Sequence, residues 1–246
     1  MNAHAPARTA RSGLKWSPAR VAAGAVLTAW AVLFWFLILA GRSLLFVSTR
    51  TKWVVPVGAI VMTAAAIGRL ASARSDDPKP IPRREAWVLG LMIVPVVLVL
   101  ALPPTSLGSF SLSRRSSFVR TGVSVSAEDI ASGPLTLIDI ASSPATELGK
   151  KALAQRAGEQ VTFDGFVAVY PDTPSDEFLL TRYVITCCVA DATTAQVRVV
   201  NVTPGQFAED DWVRVSGTFY PLGDEVIVDA SRITKIQRPN NPYLTP

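Results

Sequence analysis

Histidine is nearly missing from this sequence. Of 246 residues only His4 is one, and it lies in the polar leader MNAHAPARTARS. A Ser/His/Asp triad or a Cys/His nucleophile pair therefore has no base in the part of the chain able to fold. Cysteine is almost as scarce: Cys187 and Cys188 are the two present. As neighbours they form no CxxC redox motif, and two cysteines fall short of the four nitrogen or sulfur ligands of a structural zinc site. GxSxG, HExxH and Walker A sequences do not occur either. These absences exclude the common routes to catalysis, and the chain reads as a non-enzyme.

Charge is absent from three long stretches. Residues 21–40 (VAAGAVLTAWAVLFWFLILA), 53–68 (WVVPVGAIVMTAAAIG) and 86–104 (AWVLGLMIVPVVLVLALPP) hold no Asp, Glu, Lys or Arg. About 20 such residues cross a bilayer as a helix. Helices apolar on every face have no place in a soluble core of this size. Three spans are expected, at about 21–40, 53–70 and 86–103, making a transmembrane domain over 21–104. Trp16, Trp53 and Trp87 stand near their ends, where aromatic belts form. Pro56 and Pro95 fall inside, as membrane helices tolerate. The first run is longer than the apolar region of a signal peptide, and GRSLLF after it lacks a small-x-small cleavage site, so the helix is expected to be retained. Spans without ionisable groups suit an anchor, or a subunit beside a pore, better than an ion path.

The charge that exists is unevenly placed. Residues 1–103 hold 12 Lys+Arg against 3 Asp+Glu, whereas residues 104–246 hold 12 against 16. Arg8, Arg11, Lys15 and Arg20 in the tail 1–20, with Arg69, Arg74, Lys79, Arg83 and Arg84 in the second loop, outnumber the basic residues that share the other side. Those are Arg42, Arg50 and Lys52 in the first loop and Arg114, Arg115 and Arg120 after the third span. The positive-inside rule makes 1–20 a basic cytoplasmic tail and puts the C-terminal domain outside the cytoplasm. A multi-pass protein of the cell membrane is expected, with His4 a solvated tail residue.

Residues 105–134 are rich in Ser, Gly and Pro and read as an extended linker. LTLIDIASSPATELGKKALAQRAG (135–158) reads as a short strand and a helix, capped by Thr146 or Ser143 and ended by Gly158. From residue 159 the period changes to two. Strands are expected at 159–170, 183–190, 196–202, 211–222 and 225–236, with a hairpin turn at PLGDE and a short helical turn in TPGQFAEDD. Five short strands with a helical piece before the fourth fit a small Greek-key barrel of the OB type over 135–246. A β-sandwich fragment is the other option. The expected fold class is thus a membrane α-helical N-terminal part, with about three transmembrane helices, plus a C-terminal all-β OB-like barrel domain with a short preceding helix. An OB barrel that binds nucleic acid needs a basic groove with stacking aromatics. This part is net acidic, and Phe163, Phe166, Tyr183 and Phe219 fall where a barrel interior needs them, so no nucleic-acid partner is expected.

RYVITCCVADA, Arg182–Ala192, brings both cysteines into an apolar run of β type. Neighbours on a strand point to opposite faces, so one thiol is expected inside the barrel and the other outside. Three readings stay open. The pair is a small core hydrophobe with a chance neighbour, a vicinal disulfide with a distorted ring, or a thiolate pair that meets a soft metal or a partner's group. Thiolates favour zinc and Cu(I). With no histidine at hand, Asp191 is the third candidate ligand, so the candidate metal residues are Cys187, Cys188 and Asp191, completed from another subunit. Arg182 is the one nearby cation able to lower a thiol pKa.

RYVITCCVADA (182–192), VTFDGFV (161–167), WVRVSGTF (212–219), RPNNPYLTP (238–246), GRSLLFVSTR (41–50) and PPTSLGS (103–109) together resemble the YcgQ-like permease subunits of bacteria. The resemblance covers most of the chain from about residue 25 onward, and CCVADA is its most specific piece. It implies a membrane protein encoded beside a multi-span permease and acting as its accessory subunit. The expectation is a non-catalytic subunit of a permease complex, with that permease and the lipid bilayer as partners, handling a soft metal ion (zinc or copper) through the vicinal cysteines. The alternative is a membrane-anchored envelope sensor or binding module acting without a permease. A thiol redox enzyme is a third reading, opposed by the missing CxxC.

Overall fold

The computed structural model describes residues 15–75, 80–102, 105–114, 127–223 and 225–246. His4 and most of the basic tail, Lys79, Arg115 and Arg120 of the linker, and Asp224 of the PLGDE turn lie outside the described residues. The described chain divides into two compact units. One comprises 15–42 and 53–102; the other comprises 43–52 and 105–246.

The first unit is three helices: α1 (Pro18–Leu39, 22 residues), α2 (Val54–Ala71, 18 residues) and α3 (Arg83–Ala101, 19 residues). At about 1.5 Å per residue each spans about 27–33 Å, close to the bilayer's hydrocarbon thickness of about 30 Å. All three are long and apolar enough to cross a membrane. Their side chains are largely uncovered, with Leu39 83% and Trp87 81% exposed. Water penalises such exposure heavily and lipid does not. α1 and α2 approach closely at Gly24, where a Cβ would stand 2.5 Å from Leu70 Cδ2. Small residues at helix contacts are how membrane helices gain packing without a hydrophobic drive. Indole donors find acceptors on neighbouring helices: Trp30 Nε1 donates to Met92 O at 3.0 Å and Trp35 Nε1 to Thr63 Oγ1 at 3.2 Å. A two-residue antiparallel ladder, β1 (Lys15–Trp16) with β2 (Arg74–Ser75), ties the start of α1 to the end of α2.

The second unit is a closed barrel of five strands, β3 (Gln160–Ala168), β4 (Phe178–Val184), β5 (Thr193–Val200), β6 (Trp212–Leu222) and β7 (Glu225–Lys235), in the order β3-β4-β5-β7-β6. Every neighbouring pair is antiparallel except β5 and β7. This is the Greek-key closure of an OB barrel. Period-two alternation fills the interior with Val161, Phe163, Leu180, Val197, Val215, Phe219 and Val228. β6 bulges between Ser216 and Gly217, and a Cβ at Gly217 would run into the Asp229 carbonyl, so the bulge requires glycine there. Among the described residues three short α-helices precede the barrel: α4 (Ala127–Ser132), α5 (Leu137–Ser142) and α6 (Glu147–Gln155). Ile130, Ile140 and Leu153 on them pack into the same core. Thr146 caps α6, accepting from Gly149 N at 3.0 Å, and Gly158 takes a φ of 90° just beyond it.

Several sequence expectations change. The short strand expected after residue 135 is the helix α5. Thr136 and Asp139 form a reciprocal capping box there, with Thr136 N donating to Asp139 Oδ2 at 2.7 Å and Asp139 N to Thr136 Oγ1 at 3.2 Å. That cap starts a helix whatever the β-branched residues behind it prefer. The second strand lies at 178–184 rather than 183–190. FLLTRYV pairs along its whole length with β5, from Phe178↔Val199 to Val184↔Thr193, and the chain then leaves the sheet. TPGQFAEDD forms turns rather than a helical piece: Ala208 N donates to Asp211 Oδ2 at 3.1 Å, and Asp210 takes a φ of 68°. Phe166 and Tyr183 are not inside the barrel. They stack at 5.7 Å on its outer face beside Trp212, and Leu112 and Tyr243 bury them there.

Candidate functional site

β4 ends at Val184, and the next residues turn away from the sheet into a tight loop closed by a 3-10 turn at Val189–Asp191. Cys187 and Cys188 sit on this loop, not on a strand, which corrects the expectation that they point to opposite sides of the barrel wall. Cys187 is exposed, Cys188 is half-buried, and both are free thiols with their sulfurs 3.7 Å apart. Neither is therefore a core hydrophobe, and no bridge joins them.

Asp191 organises the loop from below. Its Oδ1 accepts from Thr186 N at 2.9 Å, and its Oδ2 accepts from Cys187 N at 2.7 Å and Cys188 N at 3.3 Å. The carbonyls on the other side of the loop are taken by the segment 43–52, which links α1 to α2 in the sequence. Ser48 Oγ donates to Thr186 O at 2.8 Å, and Ser48 N (3.1 Å) and Thr51 Oγ1 (2.5 Å) donate to Cys187 O. Val189 N donates to Phe46 O at 2.9 Å, and Val47 bridges to Cys188. Asp191 N donates to Cys188 O at 3.0 Å. Every backbone polar group from Thr186 to Cys188 is thus engaged, and the two sulfurs project from a fixed frame.

Residues 238–246 brace the same loop. Leu244 N donates to Tyr183 O at 2.8 Å, Ile185 N donates to Leu244 O at 2.9 Å, and the Thr245 and Thr49 hydroxyls meet at 3.2 Å. Residues 107–109 lie against the neighbouring face. Tyr183 Oη donates to Gly108 O at 2.8 Å, Leu107 N donates to Tyr243 Oη at 3.2 Å, and Ser109 N donates to Asp210 Oδ1 at 2.7 Å.

The electrostatics run against a reactive thiolate. The Asp191 carboxylate first, and the Cys188 sulfur second, push the Cys187 thiol up to about 11. Burial acts to raise the Asp191 carboxyl, but the Cys187 thiol and the three amides outweigh it and hold that group below the usual carboxylate range. Arg182 offers the cysteines no help. Its guanidinium donates to Asn241 O at 2.7 Å and Pro242 O at 3.2 Å and lies 5.7 Å from the Trp212 ring centre. Burial lowers its own pKa.

Cys187, Cys188 and Asp191 do come together: one ligand atom from each lies within 4.8 Å of the others. The spacing CCxxD was readable in the sequence. Ser48 and Thr51 were not, because they stand about 136 residues away and the strap they form exists only once the barrel has closed. Ser48 left one trace, the stretch GRSLLFVSTR (41–50), which carries part of the family resemblance without a role, and Thr51 left none.

No curated protein matches this chain. Residues 145–246, from just before α6 through the barrel and the thiol loop to Pro246, match the DUF1980 C-terminal domain family.

Proposed function

We propose that this chain is a membrane-anchored, non-catalytic accessory subunit of a transport complex. Its helices pack on a multi-span permease encoded by a neighbouring gene, and its barrel presents a thiol pair that handles a soft metal ion such as zinc or copper. The observation that carries the reading is the thiol loop. A chain with two cysteines holds both at the rim of a domain, 3.7 Å apart, in a frame built by Asp191 and by the connection between two apolar helices. Packing alone asks for none of this. The resemblance to YcgQ-like permease subunits supplies the partner. The apolar stretches without ionisable groups support an anchor rather than an ion path.

In this reading the tail lies in the cytoplasm and the barrel outside, on the strength of the positive-inside bias. Segment 43–52 belongs with the barrel, which agrees with three spans putting the first loop and the C-terminal domain on one side; the Lys and Arg count is what favours the outside for that side. The test is deletion of the neighbouring permease gene. The amount of this chain in the membrane should fall several-fold, as for a subunit deprived of its partner. An unchanged level and location would overturn the accessory role and leave the envelope-sensor reading, which a pull-down rich in envelope proteins but lacking any multi-span protein would support.

A further inference from the structure

We infer that Cys187 and Cys188 chelate one tetrahedral thiophilic d10 cation as a two-thiolate site with two open positions, and that Asp191 is a positioning residue rather than a ligand. The inference rests on the soft-metal part of the proposed function and fixes its chemistry.

The sulfur separation is the first argument. With metal–sulfur bonds of about 2.3 Å, two thiolates on a tetrahedral ion stand about 3.8 Å apart, whereas a linear two-coordinate ion needs about 4.6 Å. The sulfurs lie 3.7 Å apart before any ion is bound. The tetrahedral edge is already set, and a linear ion would have to spread it by about 1 Å.

The lone pairs of Asp191 are the second. A carboxylate offers about four acceptor sites. Three amides, of Thr186, Cys187 and Cys188, occupy that many of them. Turning an oxygen onto the ion would break the amide contacts that hold the sulfurs in place. Asp191 instead acts as outer partners of metal ligands generally do, fixing orientation and adding negative charge behind the sulfurs.

Openness is the third. Cys187 is exposed and Cys188 half-buried, and the backbone polar groups of the loop are spent on Asp191 and on Ser48, Thr51 and Phe46. Among the described residues no other His, Cys, Asp or Glu joins the group, so two of the four tetrahedral positions fall to incoming ligands. Structural zinc sites are closed, while sites that exchange ligands keep positions free. An ion held by two thiolates with two replaceable ligands can be passed to a partner by stepwise exchange. On binding, each thiol gives one proton to water and each sulfur forms one bond to the ion, so a divalent cation leaves a neutral dithiolate unit.

The test uses the full chain in detergent under reducing conditions, with Co²⁺ as the spectroscopic probe and Zn²⁺ as competitor. One ion per chain is expected, with sulfur-to-cobalt charge-transfer absorption, displacement by Zn²⁺, and both thiols shielded from a thiol reagent. Cys187→Ser and Cys188→Ser should each lose the charge-transfer intensity of one sulfur and bind at least tenfold more weakly. Asp191→Asn should keep the two-sulfur spectrum while weakening binding about 10- to 100-fold, the range for an outer partner. Cobalt bound without a sulfur band, or thiols that stay fully reactive with the ion present, would overturn the chelate. An Asp191→Asn spectrum that shifts as for a lost ligand would overturn the role given to Asp191. If that variant does not fold, Ser48→Ala replaces it, since it loosens the frame without touching any candidate ligand and should likewise weaken binding with the spectrum unmoved. A chelating chain with no permease partner keeps this inference and sinks the accessory-subunit reading; a partnered chain with no thiol-bound ion does the reverse.

Discussion

At the scale of single residues, Asp191 controls what the thiols do. Its carboxylate keeps the Cys187 proton on, at a pKa of about 11, against about 8.5 for an unperturbed cysteine. Peptide-resolved alkylation of the ion-free protein should therefore show the Cys187 rate climbing roughly tenfold per pH unit from pH 8 to 10, because only the thiolate reacts. A plateau above pH 9 would mean that Asp191 does not reach the thiol. The linkage sign follows from the direction of the shift. A thiol whose pKa is raised by folding adds stability that is fully present below about pH 8.5 and is lost as pH climbs through the folded value. The depressed carboxyl of Asp191 works the other way: its contribution is present above about pH 4 and lost as pH falls through the folded value. Asp191→Ala strips three amides of their acceptor. The carboxylate is exposed, so water can replace much of what is lost, and a decrease of about 1 kcal/mol in unfolding free energy is expected. Denaturant titration of the reduced, ion-free protein would measure it, and no change would mean that the loop is held by other contacts.

Among elements, the strap 43–52 is the piece that local pattern could not reveal. The apolar runs, the period-two strands and the barrel class follow from the spacing of apolar residues, and three of the five strands fall within about two residues of their expected limits. The pattern does not locate β4, because RYVITCCVA is at least as β-branched as FLLTRYV; beyond Val184 the amides of Thr186 and Cys187 turn to the Asp191 carboxylate, a partner the local pattern does not advertise. α5 was misread for a related reason. LTLIDIA alternates like a strand, and only the Thr136–Asp139 pair marks a helix start. Thr136→Ala should remove about 1 kcal/mol of stability through the lost cap, and calorimetry would detect it as a lowered Tm. Alternation alone leaves the side of Phe166 and Tyr183 open, because an aromatic on an alternating strand fits either face until the covering segments are in place. The strap itself makes a sharper prediction. Ser48 is 1% exposed and holds the Thr186 carbonyl in a part-buried hydrogen bond, so Ser48→Ala removes that donor. The loss costs about 1 kcal/mol and should speed proteolysis within 43–52. Thr51→Val acts on the adjacent carbonyl, and the two changes should not add, because they share one network.

For the whole molecule, the segment that closes the thiol frame is also the chain between two apolar helices. Folding of the barrel and insertion of α1 and α2 are thereby tied together: the strap cannot reach the loop unless both lie on one side of the bilayer. The side is open to direct measurement. In intact cells treated with a chelator, a membrane-impermeant thiol reagent should label the native Cys187 and Cys188 pair on prolonged exposure, Cys187 slowly because its thiol keeps its proton. In a Cys187→Ser, Cys188→Ser background, Ser72→Cys at the far end of α2 should stay unlabelled until the membrane is permeabilised. The positive-inside count predicts this pattern, since Arg69, Arg74, Arg83 and Arg84 flank the loop that carries residue 72. Labelling of Ser72→Cys but not of the native pair would put the barrel in the cytoplasm. The metal chemistry would survive that result, but the thiol pair would then face the reducing interior, and it would serve ion delivery or export on the inner side rather than capture outside.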